Sequence, residues 1–92
     1  MWECRTYTVD SITWTAIAPA EGNYENCLII NQGNAMVWIS PDQVNYIRVS
    51  AGTQFWFPGG GVGTTYRFKK NQIFAYIKAE SGSQNVQVMM SV

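Results

Sequence analysis

The chain has 92 residues, six basic and six acidic side chains, no histidine and a formal net charge of zero. Neutrality leaves no chain-wide field for nucleic acid or an anionic membrane, and without histidine neither a Ser-His-Asp nor a Cys-His nucleophile can be built. Charged residues make up 13% of the chain and aromatics 14%. That charge content is about half the ~25% usual in soluble domains, so some Trp, Tyr and Phe are expected on the outside, as they are at interfaces.

The elements follow in chain order. Residues 5–9 read as a strand, Asp10-Ser11 as a turn, and residues 12–17 as a second strand with Ile12, Trp14 and Ala16 on one face and Thr13, Thr15 and Ile17 on the other. Pro19 ends it, and residues 18–26 form a loop. Cys27-Leu28-Ile29-Ile30 and Met36-Val37-Trp38-Ile39 flank Asn31-Gln32-Gly33-Asn34-Ala35, which predicts a β-hairpin. A turn at Ser40-Pro41-Asp42-Gln43, a strand at 46–49, a turn at Ala51-Gly52 and a strand at 53–57 come next. Pro58 and the glycines of 59–63 then interrupt the pattern. Residues 64–68, 73–77 and 86–90 read as the remaining strands, with turns at 70–72 and 80–83.

Eight or so strands at a spacing of about ten residues predict one all-β domain over residues 1–92, a small antiparallel β-sandwich or jelly-roll-like barrel. Cys4 and Cys27 could form one bridge, but both fall in strands and are expected to be buried, reduced thiols. Two cysteines without histidine fall short of a zinc ligand set, and the acids Glu21, Glu25, Asp42 and Glu80 sit in turns as solvated charges. No catalytic residue, metal or cofactor is expected. The Gly-rich run 59–65 lacks the Lys-Ser/Thr of a phosphate loop and is expected to be a plain connection. Arg67, Lys69 and Lys70 read as a solvated strand end. Met1-Trp2-Glu3-Cys4-Arg5 does not open like a secretory leader, and no apolar run approaches the ~20 residues of a membrane helix, so synthesis in a cytoplasm is expected.

Alternation within the strands assigns Val37, Ile39, Ile73, Ala75 and Ile77 to the core and turns Trp38, Phe74 and Tyr76 outward. With Trp56 they form the expected interface, used either to cover the second face within an oligomer or as stacking platforms for sugars.

The sequence Ile12-Thr13-Trp14-Thr15-Ala16-Ile17-Ala18-Pro19-Ala20, then Leu28-Ile29-Ile30-Asn31-Gln32-Gly33, Ala51-Gly52, Ile73-Phe74-Ala75-Tyr76-Ile77 and the ending Gly82-Ser83-Gln84-Asn85-Val86-Gln87-Val88 resembles small β-sandwich proteins of tailed bacteriophages. The resemblance runs from about Ile12 onward. It implies a structural virion protein without enzymatic activity, foremost a capsid decoration (cement) protein. The implied partners are the major capsid protein or another virion protein, and copies of the chain itself as a homo-oligomer, a trimer if it sits at capsid three-fold positions. A head–tail connector or tail-associated module, and a carbohydrate-binding β-sandwich, are the alternatives. The Gly-rich run at 58–63, the N-terminal segment Met1–Val9 and the dense aromatics depart from the pattern.

Overall fold

A computed structural model describes residues 2–57 and 66–92, which form eight strands. These are β1 (Trp2–Asp10), β2 (Thr15–Ile17), β3 (Asn26–Asn31), β4 (Val37–Ser40), β5 (Ile47–Val49), β6 (Gln54–Phe57), β7 (Ala75–Ala79) and β8 (Ser83–Ser91). They make two four-stranded sheets, ordered β1-β8-β3-β6 and β2-β7-β4-β5, with every pair antiparallel. Only β4 and β5, neighbours in sequence, lie in one sheet; each other consecutive pair crosses from one sheet to the other. This is the jelly-roll arrangement, and it agrees with the sandwich or jelly roll expected from strand spacing. Among the described residues no helix is long and apolar enough to cross a membrane.

The core forms where the two inner faces meet. Val9, Ile29, Val86 and Val88 from one sheet face Ile17, Val37, Ile39 and Ile77 from the other, all essentially removed from water. The period-2 assignment of Val37, Ile39, Ala75 and Ile77 to the inside is therefore correct.

The expected hairpin at 27–40 does not form. β3 pairs with β6 and β8, whereas β4 pairs with β5 and β7, so the turn between them is an arch joining two sheets. The cause lies in Asn31, whose side chain is fully buried. Its Nδ2 donates to the carbonyls of Ala35 at 2.8 Å and Val49 at 3.0 Å, and its Oδ1 accepts from the Gly33 N–H at 3.0 Å. A hairpin would direct the backbone of Asn31 toward β4. Here its N–H donates instead to Thr53 O, and its C=O accepts from Gly52 N–H, both at 2.9 Å. Gly52 has φ of 73°, a left-handed conformation that glycine adopts without steric cost.

Three further expectations are corrected. The strand at 12–17 is confined to 15–17, leaving Ile12 84% exposed at a turn where Asp10 accepts the N–H groups of Ile12 and Thr13. Ile73 is 53% exposed because it precedes β7. Of the strand expected at 64–68, residues 64 and 65 lie outside the described residues, as does the Gly-rich run, and Phe68 makes an isolated bridge with Tyr24. That bridge fastens segment 66–72 to loop 18–25, and Tyr24 and Phe68 are both buried. Cys4 and Cys27 are free, but only Cys27 is buried; Cys4 is exposed on the opposite side of its sheet. Burial pushes the Cys27 thiol up to about 12.

Loop 18–25 has a second anchor. Glu3, 5% exposed, accepts the Ala20 N–H with both carboxylate oxygens and the Glu21 N–H with Oε1, at 3.0–3.2 Å. Burial alone would raise its pKa, but the Glu21 and Ala20 amides, with smaller help from Tyr24 and Arg5, outweigh it and hold the carboxyl below its ordinary value. Beside it, desolvation foremost and then the Glu3 carboxylate push the buried Tyr24 hydroxyl up to about 12.

Two predictions follow from these contacts. A Cβ added at Gly33 would sit 2.0 Å from Gln84 Oε1 and 2.9 Å from Gln84 Cβ, and Gln84 is held in place by bonds to Asn34 N–H and Ser81 O. Gly33→Ala is expected to cost about 1–3 kcal/mol, visible as a lowered thermal midpoint. Glu3, Asp10 and Asp42 are all depressed in the fold, Asp42 to about 2 through the Asn45 and Val44 amides. Such groups stabilise the fold fully above their unfolded values near 4.5 and 3.8, and the contribution disappears as pH falls through the folded values. Denaturant titrations should therefore show stability flat between about pH 5 and 8 and falling toward pH 2, with a shallower acid fall in Glu3→Gln; above the unfolded values of Cys27 and Tyr24, near 9.0 and 10.0, stability should fall again because burial keeps both groups protonated in the fold.

Candidate functional site

The expected interface residues are distributed over three places. Trp38 and Tyr76 lie on the outer face of β2-β7-β4-β5, Trp56 lies on the outer face of the other sheet, and Phe74 belongs to the wall of the interior. The physical reason is register. Trp38 pairs with Lys78 on one side and Arg48 on the other, Ser40 and Ala16 both pair with Tyr76, and all these side chains share the outward phase.

Trp38 is the centre of this first face. Its ring stacks on Tyr46 with centroids 4.2 Å apart and planes within 13°, and Trp14 approaches at 6.3 Å, tilted by 47°. The Lys78 ammonium, from the β7 side, lies 5.5 Å from the Trp14 centroid and 5.8 Å from that of Trp38. The indole Nε1 donates to Glu80 Oε1 at 3.2 Å, and the same oxygen pairs with the Arg48 guanidinium. The Trp38 hydrogen bond first, then Arg48, lower the Glu80 carboxyl below its ordinary value. Glu80, expected as a solvated turn charge, thus joins a rim of charge around stacked rings. Tyr46 stacked on it and the nearby Lys78 ammonium leave Trp38 half-buried, while Tyr46 is 46% exposed.

The outer face of β1-β8-β3-β6 has a different chemistry. Cys4, Met89, Leu28 and Trp56 stand side by side across the four strands, and Thr6, Gln87, Ile30 and Gln54 form the next row. Trp2 is 66% exposed and Trp56 is 58% exposed. Between them runs a groove of about 190 Å³ lined by Leu28 and Met89. Gln87 links the second row to the first, donating to Cys4 Sγ at 3.0 Å, and accepts from Gln32 Nε2 at 3.2 Å.

Phe74 was expected to point outward, and that assignment is overturned by its packing. It meets Phe57 edge-on at 5.5 Å and Phe68 at 4.7 Å, against the core. It precedes the first residue of β7, so the strand alternation does not govern it. With Phe55, Phe57, Ile39, Ile47 and Pro41 it lines an apolar cleft of about 180 Å³ between the edge strands β5 and β6.

Sequence reasoning did not single out Trp2, Trp14, Tyr46, Leu28 or Met89 as surface partners. For Tyr46 a signal existed: the turn at 40–43 makes β4 and β5 antiparallel neighbours, which brings residue 46 back toward Trp38. Among the described residues no group of three or more Cys, Asp or Glu is placed to hold a metal ion.

No family model matches the chain, and no curated protein matches it. Among solved structures, a cupin-2 domain containing protein from Shewanella frigidimarina NCIMB 400 is similar, with a TM-score of 0.55 and 12% identity over 99% of this chain and 71% of that one. At this identity the similarity shows a shared fold, an all-β sandwich of the jelly-roll type.

Proposed function

We propose that the chain is a structural protein of a tailed-bacteriophage particle, a capsid decoration protein that stabilises the shell by contact and not by catalysis. The observation that carries this reading is the outer face of β2-β7-β4-β5. There Trp14, Trp38, Tyr46 and Tyr76 are gathered in one patch, bordered by Lys78 and the Arg48–Glu80 pair. Trp, Tyr and Arg are the residues that dominate binding energy at protein interfaces, and a charged rim around stacked rings sets register while the rings lose water. The jelly roll supports the reading because viral capsid proteins use this architecture, although lectins and cupins use it too. The sequence resemblance described above supports it independently.

In this role the protein works by mass action. A protein that binds only the assembled shell adds its binding free energy to the shell's stability, and about 800 Å² buried per partner suffices for a specific contact. Head–tail connectors and tail modules use the same contact chemistry, so particle location distinguishes them.

Cosedimentation with native particles stripped of the protein provides the test. Tyr76→Ala and Trp38→Ala should weaken attachment by about 2 kcal/mol or more with a smaller effect on the thermal midpoint. Ile77→Ala, on the inner face next to Tyr76, should instead destabilise the fold itself by about 2–5 kcal/mol. Attachment unchanged by both aromatic substitutions, or retention on immobilised polysaccharide with none on particles, would refute the assignment.

A further inference from the structure

We infer that the outer face of β1-β8-β3-β6 is covered by a second copy of this chain, in a two-fold sheet-on-sheet contact. The inference is independent of the virion reading, since it concerns a different face and a different partner.

Outward positions on these four strands are Trp2, Cys4, Thr6 and Thr8 on β1, Ser83, Asn85, Gln87, Met89 and Ser91 on β8, Asn26, Leu28 and Ile30 on β3, and Gln54 and Trp56 on β6. None is Lys, Arg or Glu, and the one acid in phase with them, Asp10, sits at the far end of β1. Fourteen of the fifteen outward positions are thus uncharged, whereas the opposite face has Arg48, Lys78 and Glu80 grouped around Trp38. Away from Asp10 at its end, the face has no charge to repel a copy of itself and offers no complement to a strongly charged partner.

Size and shape narrow the occupant further. Four strands about 4.8 Å apart, the longest nine residues at about 3.4 Å per residue, span roughly 500 Å² in projection. Side-chain relief adds to this and brings it to the ~600–1,000 Å² per partner of a specific interface. A single patch closes on itself only by a two-fold axis, because a trimer of identical chains needs two different patches that fit one another. This contact makes the free chain a dimer, in place of the trimer expected if it sits at capsid three-fold positions. Aligned packing of two sheets would set the Leu28–Met89 row of one copy against that of the other, and the groove between Trp2 and Trp56 provides space for an apolar side chain of the partner.

Sedimentation equilibrium of the full chain across micromolar concentrations reads the association directly. Wild type should pass from monomer to dimer. Trp56→Glu and Trp2→Glu, both at well-exposed positions, should weaken dimerisation about thirtyfold or more while leaving the strand content by circular dichroism unchanged. Alkylation supplies a second readout needing no substitution. Cys4 is exposed on this face and Cys27 is buried in the core, so the one reactive thiol should be protected as the dimer forms. A monomer at all concentrations, a trimer, or a dimer in which Cys4 reacts as fast as in the monomer would each overturn the proposal.

Discussion

The side chain of Asn31 is the constraint on which the rest of the fold depends. A primary amide without access to water is costly unless each of its groups is bonded, and here two of its bonds are to the arch, at Gly33 and Ala35, and the third is to Val49 at the end of β5. Together with the backbone bonds of the same residue to Gly52 and Thr53, they bind the β3–β4 arch to the β5–β6 corner. Two sheet crossings are thus locked by one residue. Gly33 is part of the same device, since only a residue without Cβ can pass Gln84 at this distance.

From the arch follows the exposure of two outer faces. Had β3 and β4 paired, Leu28 and Trp38 would belong to one sheet; separation into two sheets places Leu28 beside Met89 and Trp56, and Trp38 beside Lys78 and Arg48. The first group is apolar and uncharged, and its burial is favourable in proportion to area. The second is aromatic with charges already engaged by cation–π contacts and an ion pair, so those charges lose less solvation on docking than free ones would. The two faces therefore suit different partners, which is why shell attachment and self-association are assigned to different sides of one small domain.

Most of the strands were legible in the sequence because alternation of apolar and polar residues is a local signal. Val37, Ile39, Ala75 and Ile77 are inside as that signal requires. Pairing is not local. Asn, Gly and Ala between two apolar runs satisfy a hairpin turn and an arch equally well, and the choice is made by Val49 and Thr53, roughly twenty residues away. Phe74 and Ile73 were exchanged for a related reason: the alternation was extended one turn before β7 begins, where Phe74 is drawn inward by Phe57 and Phe68. Of the candidate surface residues, Trp38 and Tyr76 were found from their strand phase, and Trp56 was named without one. Trp2 and Trp14 were not, because each joins its patch through neighbours that only the sheet order supplies, and Tyr46 was passed over although the turn at 40–43 pointed to it.

Cross-strand backbone NOEs from β3 in the full-length protein test this account most directly, because hairpin and arch place the same residues against different strands. The arch predicts contacts from Cys27 and Ile29 to Met90 and Val88 on β8 and to Phe57 and Phe55 on β6, and none to β4. A ladder of NOEs between residues 27–30 and 36–39 would show a hairpin, and would contradict both the role of Asn31 and the division of the aromatic residues between two faces.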